Sequence, residues 1–254
     1  MAEQSQGNTG VGFECRSHAF PDTHWTLLLT KEIGDKESTV IVDRRFDSLC
    51  TSYWYPLYAY LRKRGHSSHD AQDHTQGFFT HLLTRNRIAN LDPDQGRFRS
   101  YLLGALNHYL SDRRKHAQAA KRGGGQMPLS IDEHTAEGRF QSQLADDLTP
   151  EKLFDREWAT TILNESKAQL AQDFAAQGKA AIFAEVGEFL TLPPSKGEYL
   201  EIAHRLRMTK ENVRAIVSRM RKRYKSILRQ QILATVSAEE EIDEEIRYLF
   251  SAIG

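Results

Sequence analysis

The residues with the clearest chemical potential are the basic side chains between Arg205 and Arg229. This stretch holds ten Lys and Arg residues and a single acid, Glu211, in a chain of 254 residues without net charge. Such a local excess of cations is typical of a surface that contacts nucleic-acid phosphates. A solvated basic helix is the ordinary alternative, because runs of charge usually face water.

These cations lie on two helical patterns separated by about three residues, a spacing that predicts a helix-turn-helix. In each pattern apolar residues recur on one side, and the opposite side of the second is almost purely basic. Thr209 stands at the N-cap position of the second helix, and Glu211 lies in its first turn, where the helix dipole favours a carboxylate. The apolar residues are Leu200, Ile202, Ala203 and Leu206 in the first helix, and Val213, Ile216, Val217, Met220, Tyr224, Ile227 and Leu228 in the second.

The second helix of a helix-turn-helix places its N-terminal turns in the DNA major groove. Side chains there read base edges, whereas cations farther along the helix contact phosphates. We therefore predict that Arg214 contributes to base recognition and that Arg221 and Lys222 bind the DNA backbone. The predicted DNA-binding residues of this helix are Lys210, Glu211, Asn212, Arg214, Ala215, Ser218, Arg221 and Lys222.

A second basic stretch runs from Arg97 to Arg122 and holds seven Lys and Arg residues against one acid, Asp112. An apolar side accompanies it at helical spacing, which predicts a helix with one basic face, ended by three glycines at 123–125. The apolar residues are Tyr101, Leu102, Ala105, Leu106, Tyr109 and Leu110.

Two histidines and two aspartates on one predicted helix raise the possibility of metal chemistry. His69 with Asp73, and Asp70 with His74, are pairs at i, i+4 that could direct an imidazole and a carboxylate at one ion. A metal-dependent helical enzyme is therefore one hypothesis. The other histidines are isolated and no second cluster completes a coordination shell, which favours a solvated helix face without metal.

The composition of the chain limits its class. With 39% hydrophobic and 27% charged residues, a globular chain of one large or two small domains is favoured. Cys15 and Cys50 have no motif spacing, and neither a signal peptide nor a membrane-length apolar run is found, which predicts a cytoplasmic protein without membrane contact. No phosphate-binding loop, dinucleotide loop or catalytic triad pattern occurs, so we predict a non-enzyme without a cofactor.

The order of these patterns predicts an all-α fold of two helical domains joined by a flexible linker. An acidic tail at the end of the chain could cover a basic surface, bind a partner or cap the fold. The predicted segments are a disordered leader at 1–19, a first helical domain at 20–125, the linker at 126–149, the domain with the helix-turn-helix at 150–236, and the acidic amphipathic tail at 237–254.

Single residues mark the ends of several predicted helices. Gly65 stands at a C-cap position, and Pro56 should kink or break the helix before it. Thr149 and Pro150 are suited to the N-cap and first position of a later helix. The tyrosine-rich segment 53–60 has helical spacing, so its aromatic rings are interpreted as packing residues.

The segment from Glu201 to Leu228 resembles region 4, the promoter-binding helix-turn-helix of bacterial extracytoplasmic-function sigma factors. One residue departs from the family pattern, since Arg207 stands in the turn where the family commonly has Gly. If that position requires a positive φ, a residue with a side chain costs roughly 1 kcal/mol there.

The first half of the chain resembles region 2 of the same family. The run Asp70-Ala71-Gln72-Asp73, followed by Gln76 and Phe79, resembles the helix of region 2.2, which holds the clamp helices of the polymerase β′ subunit. The run from Phe98 to Arg114 resembles regions 2.3 and 2.4, which open and read the promoter element nearest the start site. Tyr101 stands where the family most often has Trp, and it could stack on a base or pack in the core.

The resemblance implies a sigma factor that directs RNA polymerase core to promoters and helps to separate the strands. Its implied partners are the β′ clamp helices and β flap of the core enzyme and promoter DNA, and an anti-sigma factor or other regulator is left open. A stand-alone dimeric helix-turn-helix regulator is the alternative, although it gives the second basic stretch no role. The resemblance adds Arg99, Tyr101, Arg113, Arg114 and Lys115 as DNA-binding residues and Asp70, Asp73, Gln76 and Phe79 as core-polymerase-binding residues.

Overall fold

A computed structural model of the chain describes residues 36–84, 97–119, 133–143, 147–195, 197–233, 235–236 and 238–254. Within these ranges the secondary structure consists of α-helices and two 3-10 helices without a strand, which confirms the predicted all-α class. The predicted leader and the three glycines at 123–125 lie outside the described residues. The α-helices are α1 Lys36–Lys63, α2 Ser68–Thr84, α3 Phe98–Ala119, α4 Glu133–Gln141, α5 Pro150–Ala176, α6 Ala180–Val186, α7 Glu198–Leu206, α8 Lys210–Leu233 and α9 Ile242–Ile253, and the 3-10 helices are Gly187–Leu190 and Glu239–Glu241.

Helix ends fall where the capping residues predict them. Gly65 follows α1 with φ 89°, a left-handed conformation that glycine adopts without strain, and the amide of His66 donates to the carbonyl of Leu61 at 3.2 Å. At the start of α5, the hydroxyl of Thr149 accepts a hydrogen bond from the amide of Lys152 at 3.3 Å. The predicted caps of both helices are confirmed.

Pro56 lies inside α1, which continues without a break. A helix break, one of the two predicted outcomes, therefore does not occur. The neighbouring side chains of Trp54 and Leu57 are completely buried. Their packing outweighs the cost of a proline in a helix, which is about 3 kcal/mol.

A larger hydrophobic core joins helices from both halves of the chain. Its centre is Tyr53 of α1, whose ring centroid lies 5.4 Å from that of Phe98 and 6.4 Å from those of Phe154 and Trp158. Trp54, the next residue, is completely buried. The aromatic residues of α1 thus pack as predicted. This core draws residues from α1, α2, α3, α4, the first half of α5, the end of α8, and α9.

A smaller hydrophobic core lies under α7 and the first two-thirds of α8. It contains Leu170 from the second half of α5, Val186 and Phe189 around the first 3-10 helix, and Ile202 of α7. Leu200 was predicted on the apolar side of α7, but it is 52% exposed, whereas Ile202 beside it is 1% exposed. The inward face of α7 is therefore rotated away from Leu200. Since α5 and α8 contribute residues to both cores, they connect the two.

The described part of the predicted linker, 133–143 and 147–149, contains the packed helix α4. Ala136 and Phe140 of α4 are buried in the larger core. Glu137 accepts hydrogen bonds from the guanidinium of Arg62, at 2.7 and 2.9 Å, and this lowers the pKa of Glu137 to about 2. The segment is held to α1 by both apolar and ionic contacts.

Candidate nucleic-acid interface

The connection between α7 and α8 spans three residues, 207–209, as the pattern predicts. Arg207 closes α7 in the left-handed region, with φ 53° and ψ 45°, and its amide and that of Met208 donate to carbonyls of the last turn of α7. The hydroxyl of Thr209 accepts from the amide of Asn212 at 3.2 Å and caps α8. The turn is therefore built from a left-handed residue followed by an N-cap.

The left-handed conformation of Arg207 leads to a stability prediction. A glycine adopts this conformation without the steric cost of a side chain, so Arg207→Gly should raise the free energy of unfolding by about 0.5–1 kcal/mol. Arg207→Ala is the matched control, because it removes the charge but keeps the Cβ atom. Chemical denaturation measures both variants. Equal effects of the two substitutions would show that charge, and not backbone strain, is responsible.

Most of the predicted DNA-binding residues of α8 lie on the side away from the smaller core. Val213 and Val217 are buried at 0% and 2% exposure, and between them Arg214 is exposed. The guanidinium of Arg214 lies 5.7 Å from the ring centroid of Tyr199, which supports the side chain from α7. Glu211, Asn212, Ser218, Arg221 and Lys222 are exposed as well, and Lys210 and Ala215 are half-buried.

Part of the positive charge of α7 and α8 is neutralised within the chain. Arg205 pairs with Glu185 at 2.7 Å, Arg223 pairs with Asp173 at 2.7 Å, and Arg229 pairs with Asp243. Arg221 donates from Nε to the carbonyl of Phe189 at 2.7 Å, which fixes its orientation. The N-terminal half of α8 presents Arg214 and Ser218 to solvent, and Lys222 lies one turn farther along. This half therefore carries the predicted base-reading residues that solvent can reach.

The predicted DNA-binding residues of α3 separate into two groups. Arg113, Arg114 and Lys115 are exposed near the C-terminal end of the helix, where Arg113 donates to the hydroxyl of Tyr109 at 3.1 Å. Tyr101 is half-buried and stacks on Phe98 with centroids 6.4 Å apart, so it contributes to packing. Arg113, Arg114 and Lys115 thus form a second basic surface besides that of α8.

Arg99 does not belong to that surface. Arg99 as a whole is 4% exposed, and its guanidinium pairs with Asp155 at 3.0 Å and with Glu245. It also lies 4.1 Å from the ring centroid of Tyr248. Burial lowers the pKa of the Arg99 guanidinium, and the charge of Asp155 opposes this shift. In this conformation DNA cannot reach Arg99.

The predicted polymerase-binding residues of α2 also differ in access. Asp70 and Asp73 are exposed and Gln76 is half-buried, whereas Phe79 is 3% exposed within the larger core. Asp70 accepts from the hydroxyl of Ser67 at 2.7 Å, and this hydrogen bond lowers its pKa. Its amide donates to the same oxygen at 3.1 Å. Ser67 therefore caps α2, as the Ser-x-x-Asp spacing indicates, and the carboxylate of Asp70 orients its hydroxyl.

The histidines and aspartates of α2 do not converge on one point. His69 lies 3.6 Å from Asp73 at the surface, but His74 faces inward, with its ring centroid 5.2 Å from that of His66. Among the residues that the structure describes, no group of three or more His, Cys, Asp or Glu side chains could hold a metal ion. The geometry gives the metal hypothesis no support.

The pair His66 and His74 predicts acid sensitivity. Burial lowers the pKa of both imidazoles. The charge of Arg114 lowers the pKa of His66 further, and those of His66 and Arg113 lower the pKa of His74, while Asp70 raises both. The unfolded chain therefore binds these protons more tightly, and stability should fall as the pH drops below about 6.5. Melting temperatures at about pH 7.5 and about pH 5.5 measure this loss, which should be smaller in His74→Gln. The same loss in both proteins would contradict the assignment.

A cavity of about 310 Å³ opens between the end of α5, α6 and α8. Ile182, Met208 and Ile216 provide apolar walls, and Lys179 and Arg219 lie at its edge. No sequence motif predicts this cavity, because its walls come from separate segments that meet only in the folded chain. It adds a concave, basic and apolar surface beside the α7–α8 turn.

The comparisons with known proteins leave the chain without an assigned family. No family model matches the chain, and neither a curated protein nor a solved structure matches it. Among the described helices, none combines the length and the apolar character that a membrane crossing requires.

Proposed function

We propose that this chain is a sigma factor, a non-catalytic subunit that directs RNA polymerase core to promoters and assists strand opening. The observation that carries the proposal is the α7–α8 pair. It presents most of the predicted DNA-binding residues of α8, among them Arg214 and Lys222, to solvent above a well-packed core. The helix-turn-helix then reads the upstream promoter element, and the smaller core is the unit that presents it.

A second basic surface supports this function over a stand-alone regulator. Arg113, Arg114 and Lys115 on α3 are exposed in a part of the chain far from α8 in sequence. A dimeric regulator needs one reading surface per chain, whereas a sigma factor contacts two promoter elements. We assign the end of α3 to the element nearest the start site, and the larger core to the unit that holds it.

The exposed acids of α2 are the proposed contact with the polymerase. Asp73 is exposed on the solvent side of the helix, where it lies 3.6 Å from His69 in a surface contact. A carboxylate in this position complements a basic partner and contributes little to the fold. The β′ clamp helices are the proposed partner here, and the β flap is the proposed partner of the helix-turn-helix unit. Such a protein acts in the cytoplasm, with the polymerase.

Asp73→Ala should weaken binding to RNA polymerase core without destabilising the chain. Surface substitutions usually change stability by less than about 0.5 kcal/mol, and Ala is a better helix former than Asp. Asp70 is less suitable, because its replacement would also remove the hydrogen bond that orients the capping hydroxyl of Ser67. Glu188→Ala is the matched control, since Glu188 is an exposed acid beside the other core.

Co-elution of the purified variants with core polymerase tests the proposal, with melting temperature measured in parallel. We expect weaker co-elution for Asp73→Ala alone. No co-elution of the unaltered chain would refute the proposed function, and equal loss in both variants would place the contact elsewhere.

A further inference from the structure

The last helix, α9, places its acidic first turn against basic residues from both basic stretches. Asp243 pairs with Arg229 at the end of α8. Glu244 pairs with Arg97 at 2.7 Å, just before α3. One short helix therefore neutralises cations of both halves of the chain.

The centre of this contact is a buried ionic cluster. The side chain of Glu245 is 1% exposed, and it pairs with Arg97 at 2.9 Å and with Arg99. The hydroxyl of Tyr248 donates to Asp155 of α5 at 2.6 Å, while its ring covers Arg99. Buried pairs of this kind are highly sensitive to the loss of one partner.

Apolar contacts add to the docking of α9. Ile242 is 2% exposed and Leu249 is completely buried, both within the larger core. The opposite side of the helix carries Phe250, which is 52% exposed. The helix is therefore bound by its acidic first turn and one apolar side, and its other side faces solvent.

We propose that α9 is an autoinhibitory segment that competes with nucleic acid for Arg97, Arg99 and Arg229. Its carboxylates occupy the positions around these cations that phosphate oxygens would take in a complex, since both are oxyanions that pair with guanidinium groups. Displacement of α9 exposes the three cations and adds them to the basic surfaces of α3 and α8. This inference rests on the proposed function, because it takes nucleic acid as the polyanion that competes with α9.

Charge-neutral variants of α9 test the proposal without removing its apolar contacts. Asp243→Asn combined with Glu245→Gln keeps the shape of both side chains but removes their attraction for the arginines. Glu240→Gln is the matched control, because it removes one charge from an exposed acid of the same tail. A chain that lacks residues 242–254 is a third variant, and circular dichroism monitors its folding.

Binding to a fluorescent DNA duplex is measured by anisotropy between roughly 50 and 200 mM salt. We expect the double variant to bind at least about tenfold more tightly than the unaltered chain and to show a salt slope steeper by about two units, because each new phosphate contact adds about 0.9. Glu240→Gln should change affinity less than about twofold, as a surface charge does.

Unchanged or weaker binding by the double variant, or the same gain from Glu240→Gln, would overturn the autoinhibitory role and leave α9 as a structural cap. That outcome leaves the proposed function intact as long as the unaltered chain binds core polymerase. Absence of both DNA and polymerase binding in every variant would overturn the proposed function together with this inference.

Discussion

Replacement of Trp158 by Ala should lower the free energy of unfolding by about 3–5 kcal/mol, as is typical of a large aromatic residue removed from a core. Trp158 is 1% exposed, lies 6.4 Å from the ring of Tyr53, and stacks over the guanidinium of Arg99 at 5.2 Å. It therefore joins α5 to α1 and α3, which come from the other half of the sequence. Chemical denaturation followed by circular dichroism measures the loss.

The same experiment tests whether the larger core couples the two halves. If it does, Trp158→Ala should shift a single transition, and hydrogen exchange in α1 and α5 should rise together. Leu192→Ala is the control, because Leu192 is 60% exposed and its removal should cost less than about 0.5 kcal/mol. Two separate transitions, with only one of them shifted, would show that the halves unfold independently.

In the proposed complex with RNA polymerase, Arg214→Ala should reduce the affinity for promoter DNA by about 1–3 kcal/mol and relax specificity at one base position. The reason is its place in the N-terminal half of α8, exposed and supported by Tyr199. Lys222→Ala is the matched comparison, because Lys222 is an exposed cation farther along the same helix. It should weaken binding to all sequences alike and lower the salt slope by about one unit.

Binding is measured on the promoter and on single-base variants of its upstream element, over a range of salt concentrations. Arg221 is a poorer choice for the comparison, because its bond to the carbonyl of Phe189 couples it to the fold. If Arg214→Ala weakened all sequences equally, Arg214 would be a phosphate contact and base reading would lie elsewhere on α8.

Local features of this fold could be predicted from the sequence because their causes are local. The cap at Thr209 and the basic face of α8 depend on residues within one or two helical turns. The left-handed conformation of Arg207 is suggested only by the family resemblance, through the Gly that the family has in the turn. The apolar period of α8 likewise fixes which side is buried. The exception is α7, where both Leu200 and Ile202 fit a helical pattern, and only packing against α8 selects Ile202.

Long-range contacts could not be predicted in the same way. Arg99 lies in a basic stretch and resembles a DNA-binding residue, but its partner Glu245 is 146 residues away in the sequence. The packing of α4 on α1 depends in the same way on segments that meet only in the folded chain. Charge and periodicity identify candidates for a surface, whereas tertiary packing decides which of them are accessible.

Transcription with purified components tests the sigma-factor proposal most directly. The chain is added to RNA polymerase core with a pool of genomic DNA fragments, and the 5′ ends of the transcripts are mapped. We predict initiation that depends on the chain, at sites that share two sequence elements at a fixed separation, with the upstream element altered in Arg214→Ala. Absence of initiation, together with tight and sequence-selective binding of a dimer to a palindromic site without polymerase, would contradict the proposal and favour a stand-alone regulator.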